Sequence, residues 1–152
     1  MSDLSSLYQD VILDHSKRPR NFHAIADADR HANGYNALCG DKVTIYLTLV
    51  DDRITDISFQ GSGCAISTAS ASILTETLKG KTRAEAEAIF EVFHGLVTGQ
   101  PAESASAPAL GKLAVFSGVC EFPVRVKCAS LAWHTMKSAL EGSPAVASSE
   151  ES

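Results

Sequence analysis

Four cysteines, Cys39, Cys64, Cys120 and Cys128, and one aspartate, Asp41, carry most of the chemistry legible in this chain. Asp41 stands two residues beyond Cys39, with only Gly40 between them, so a thiolate and a carboxylate from one loop can reach one cation. Thiolates favour zinc and iron–sulfur clusters, whereas magnesium and calcium prefer sites made wholly of oxygen. A set of three cysteines and one aspartate meets the four-coordinate preference of zinc. Cys39, Asp41, Cys64 and Cys128 are therefore the candidate ligands, and Zn2+ the leading metal. The sequence has no Cys-x-x-Cys pair, so spacing alone carries little weight.

The elements that must bring these residues together follow from periodicity. Val43, Ile45, Leu47 and Leu49 alternate with Thr44, Tyr46 and Thr48, and 53–59 continues in the same style, which predicts a hairpin turning at Asp51-Asp52. A hairpin that returns beside its own start places the residue after its second strand, Cys64, near the residue before its first, Cys39. Gly40 and Gly63 permit close backbone approach there. After Gly63 the pattern becomes helical, with Ile66, Ala69, Ile73, Leu74 and Leu78, and ends at Lys79-Gly80, so Cys64 opens a helix. Cys128 falls inside a last helix that begins at Phe122-Pro123 and runs through Leu131, Trp133 and Leu140 to Gly142.

The electrostatics suit reactive thiolates. Cys64 is near the positive end of a helix dipole, and Arg125, three residues before Cys128 on the same helical face, is a candidate counter-ion or partner-docking residue for a site of four negative ligands. Plainer roles compete: an isolated cysteine is most often a small buried residue, an aspartate before a strand often caps a turn, and an arginine on a helix often lies over its surface. Cys120 keeps the buried reading. His15, His23, His31, His94 and His134 show no paired ligand spacing and are expected at the surface or in the core.

Elsewhere Leu4, Leu7, Tyr8 and Val11 predict a helix over 4–15, and 16–35 reads as irregular with a short strand. Thr82 followed by Glu85 is a capping box opening a helix with Ile89, Val92, Phe93 and Leu96 on one face, which should end near Gly99. Residues 99–109 read as a polar loop, 110–119 as containing a short helix, and 142–152 as a disordered tail. The expectation is a single α+β domain over 1–141: a small antiparallel sheet of about three strands, helices packed on one side, and the metal site exposed at one end. The 152 residues are 45% hydrophobic and 20% charged, enough for one core without disulfides. A net charge of -5 opposes nucleic-acid binding and attraction to anionic membranes. No apolar run is long enough to span a bilayer and the start is acidic rather than basic, so the expected compartment is the cytoplasm, with reduced thiols.

Four stretches in order, LYQDVILDHSKRPRNF, CGD at 39–41, GSGCAIS at 61–67 and FPVRVKCASLAW at 122–133, resemble the SufU-type branch of the IscU-like iron–sulfur assembly family over residues 4 to about 141. The stretch between Cys64 and Cys128 is longer than in scaffold-type relatives, and Lys127 stands where those carry histidine; both favour the SufU-type branch. Ala37-Leu38 replaces the family's usual pattern before Cys-Gly-Asp. The resemblance implies that Cys39, Asp41, Cys64 and Cys128 hold zinc and that Cys39 accepts persulfide sulfur from a pyridoxal-phosphate cysteine desulfurase of the SufS type. The sulfur would then pass to the downstream iron–sulfur assembly machinery. Two alternatives stay open: a scaffold on which a [2Fe–2S] cluster is built, and a structural zinc adaptor that activates the desulfurase.

Overall fold

A computed structural model describes residues 2–25, 28, 30–36, 40–98, 116 and 123–141. The expected loop at 99–109, the short helix expected within 110–119 (Phe116 apart), the tail at 142–152, and Cys39 and Cys120 lie outside them. Helix α1 (Ser2–Lys17) is followed by strands β1 (Arg30–Asn36), β2 (Asp41–Val50) and β3 (Arg53–Ser62), then helices α2 (Ala65–Leu78), α3 (Arg83–Thr98) and α4 (Pro123–Glu141). The strands form one antiparallel sheet in the order β1-β2-β3. No helix among the described residues is long and apolar enough to cross a membrane.

The β2–β3 hairpin turns at Asp51 and Asp52, both at positive φ, as a two-residue turn matched to strand twist requires. Its register shifts beside Thr48 and Leu49, where Thr55 is the extra residue of β3. That bulge changes the phase of the strand, so Ile54 and Ile57, three apart, are both fully buried on one face. Ile45 and Leu47 of β2 and Phe59 of β3 share that face, and α2 and α4 cover it with Ile73, Leu74, Leu131 and Trp133. The opposite face carries the exposed residues His31, Tyr35, Lys42 and Gln60, so the helices do lie on one side.

Two elements, β1 and α1, differ from expectation, and α2 forms as expected but is more deeply buried than its spacing required. The short strand anticipated within 16–35 is the regular seven-residue edge strand β1, whose inward positions are Ala32, Gly34 and Asn36. These are small because α4 packs directly on the strand: a Cβ at Gly34 would overlap Thr135 Oγ1. Helix α2 is not amphipathic, since every residue from Ala69 to Thr75 is buried. It lies between α1, α4 and β3, and its buried Ser70, Ser72 and Thr75 allow that closeness by finding partners: Ser72 Oγ bonds His15 Nδ1 at 2.7 Å and accepts Arg20 N–H at 2.9 Å. Helix α1 extends two residues beyond the expected 4–15 at each end.

Other local signals hold as read. Thr82 Oγ1 accepts the Glu85 N–H at 3.1 Å while Glu85 Oε1 accepts the Thr82 N–H at 2.9 Å, the reciprocal capping box of α3. Gly80, at φ +87°, follows the end of α2.

Candidate metal centre

Antiparallel pairing sets the site. Asp41 opens β2 opposite Asn36, the last residue of β1, and Lys42 pairs with Ser62 near the end of β3. The chain leaving β3 therefore passes beside Asp41. Gly63 makes the pass possible: a Cβ there would lie 2.6 Å from Asp41 Oδ1. The next residue, Cys64, is the N-cap of α2, with extended backbone and its Sγ accepting the Ser67 N–H at 3.4 Å. Cys128 reaches the same place from α4 and is buried.

The ligand atoms of Asp41, Cys64 and Cys128 all lie within 4.8 Å of one another. Two sulfurs on a tetrahedral zinc are about 3.8 Å apart, given a Zn–S length of about 2.3 Å. Two thiols and a carboxylate at this spacing fit a borderline divalent cation and leave one vertex open. Among the described residues this is the one group of three or more such side chains, and no histidine joins it. Asp41 and Cys128 are buried while Cys64 is exposed, so the cluster opens to the surface on the Cys64 side.

Fixed dipoles prepare the groups for charge. Asp41 Oδ1 accepts the Cys64 N–H at 3.0 Å, and Oδ2 accepts the Asn36 side-chain amide at 3.2 Å. A hydrogen bond with Cys128, opposed by partial burial and by the Asp41 charge and helped by the Ser67 N–H, brings the Cys64 thiol down to about 6.

Of the residues singled out from sequence, Asp41, Cys64 and Cys128 meet. Arg125 is exposed in the first turns of α4. Cys39 lies outside the described residues, but its flanks are tied together by the Gly40 N–H donated to Asn36 O at 2.8 Å. Asn36 is the polar residue that sequence reasoning passed over. Its one signal is its place three residues before Cys39, and an asparagine there reads as turn chemistry.

Comparison with known proteins finds similarity along most of the chain. The family model described as the NifU-like N terminal domain matches residues 7–141. An iron–sulfur cluster assembly scaffold protein IscU of Streptococcus pyogenes is 40% identical over 143 residues, covering 94% of this chain and 88% of its own. The zinc-dependent sulfurtransferase SufU of Bacillus subtilis is 36% identical over 136 residues, 90% of each chain. A Fervidobacterium islandicum protein, named as a candidate iron–sulfur cluster assembly scaffold for the SUF system, superposes with a TM-score of 0.82 at 36% identity, covering 89% of this chain and 97% of its own.

Proposed function

The chain belongs to the family of NifU-like N-terminal domains, and from that premise we propose that it serves iron–sulfur cluster assembly as a zinc-bound sulfurtransferase. The observation that carries the reading is the convergence of Asp41, Cys64 and Cys128 from three elements, open to the surface on one side. With Cys39, two residues before Asp41, they would make up the four ligands. Zinc, when bound, supplies a divalent charge that keeps thiols deprotonated at neutral pH. The similarity to the zinc-dependent sulfurtransferase of Bacillus subtilis supports the metal and the activity, and Lys127 supports the same branch.

The proposed partner is a pyridoxal-phosphate cysteine desulfurase of the SufS type carrying a persulfide. The Cys39 thiolate attacks the terminal sulfur of that persulfide. A new S–S bond forms on Cys39, the donor's S–S bond breaks, and its electron pair leaves with the donor cysteine as a thiolate, so no external oxidant is needed. The same exchange in a second step hands the sulfur to the assembly machinery.

A scaffold reading has its own support in the Streptococcus pyogenes relative. Anaerobic purification separates the two: near-stoichiometric zinc without a visible chromophore is expected, and a red-brown labile cluster would favour the scaffold. After incubation with desulfurase and cysteine, mass spectrometry should find one added sulfur atom on Cys39. Full stimulation of the desulfurase by Cys39→Ser would reduce the protein to an adaptor and end the transfer reading.

A further inference from the structure

We propose that Asn36 is a positioning residue of the metal centre: its side-chain amide, set between the Asp41 carboxylate and the Cys128 thiol, holds the two groups in the arrangement that a metal ion needs. The inference rests on the zinc reading above and adds a residue to it. Asn36 is fully buried at the last position of β1, directly across from Asp41. Its Nδ2 donates to Asp41 Oδ2 at 3.2 Å and to Cys128 Sγ at 3.9 Å, the latter within the longer range of bonds to sulfur.

An amide nitrogen has two N–H groups and no charge, so it can serve two anionic neighbours without adding to the site's electrostatic balance. Asp41 is then held on both oxygens, Oδ1 by the Cys64 N–H and Oδ2 by Asn36. The plane of the carboxylate is fixed, and each oxygen keeps a lone pair. The other end of the amide shows what this orientation is for. Asn36 Oδ1 is buried without a hydrogen-bond partner, a costly condition that a purely structural asparagine would avoid by rotating its amide. Rotation would turn an acceptor toward a carboxylate and a thiolate. The unpaired carbonyl is thus the cost of keeping two donors on the two ligands. The backbone of Asn36 adds to this by accepting the Gly40 N–H, which ties the strand end to the residue before Asp41.

Asn36→Leu keeps the volume and removes the donors. In the full chain, zinc affinity measured by competition with a chromophoric chelator should fall about 10- to 100-fold, the range found when partners of metal ligands are removed. The ligand-field spectrum of the cobalt(II)-loaded variant should change, because carboxylate and thiol lose a shared donor that orients them. The metal-free variant should keep its far-UV circular dichroism. Wild-type affinity and spectrum in a folded Asn36→Leu protein would overturn the role of Asn36 alone, whereas failure of the wild type to bind zinc would overturn the functional reading beneath it. Should the variant not fold, the wild type still decides: Asn36 side-chain amide protons that exchange slowly and shift on zinc addition support the proposal. Fast exchange and no response to zinc would overturn it.

Discussion

At the scale of single residues the site is a set of acids arranged around shared donors. Cys64 is the most accessible of its described thiols, and its depressed pKa of about 6 comes first from the hydrogen bond with Cys128. In metal-free protein the alkylation rate of Cys64, followed by peptide mapping, should therefore have its midpoint near pH 6 rather than near the ordinary thiol value of about 8.5. Cys128→Ala, which removes the donor, should move it upward. The sign for stability follows: a thiol acid depressed in the fold contributes stability that is fully present above its unfolded pKa and is lost as pH falls through about 6. A midpoint above pH 8 in the wild type would show that the two thiols do not share a proton. Asp41, Cys64 and Cys128 were legible from residue type and motif because each has chemistry of its own. Asn36 was not, because an amide shows its role only through the groups that surround it.

At the scale of elements, legibility tracked how each element is buried. The β2–β3 hairpin and α3 expose one face to water, so alternation or an apolar stripe with a capping box identifies them. Helix α2, buried from Ala69 to Thr75, still shows its helical spacing through Ile73, Leu74 and Leu78, but the edge strand β1 is crowded by α4 at backbone distance and its inward positions are Ala32, Gly34 and Asn36. Periodicity measured in large apolar side chains is blind to that. Gly34 tests the point. Adding a methyl group there collides with Thr135 Oγ1 on α4 and comes within 3.2 Å of Leu131 Cδ1. Gly34→Ala should destabilise the protein by about 1–3 kcal/mol, as overpacking of a tight core does. Thr135→Ala removes the obstructing oxygen and should restore more than half of that loss in the double variant, measured by urea denaturation as a double-mutant cycle. Additive losses would mean that the strand and the helix are not in contact through this pair.

At the scale of the whole molecule, the described candidate ligands come from three separately anchored elements: the start of β2, the N-cap of α2 and the second turn of α4. The core that holds those elements includes Ile45, Ile57, Leu74 and Trp133, all fully buried. Trp133 stacks on Phe93 with ring centroids 4.6 Å apart and donates its indole N–H to Ser70 Oγ at 3.2 Å, which joins α2, α3 and α4 without any metal. A metal bound there would then clamp a fold that the core already holds, in contrast to small zinc domains that are unfolded without it. Stripping zinc with a chelator should leave the far-UV spectrum unchanged and the protein folded. Free zinc at a hundred times the dissociation constant adds about 2.7 kcal/mol by linkage, so removing it should lower the melting temperature by about 5–10 °C for a chain of this size. Collapse of the secondary structure on chelation would mean that the metal organises the core itself, and an unchanged melting temperature would mean that Asp41, Cys64 and Cys128 hold no ion in the folded protein.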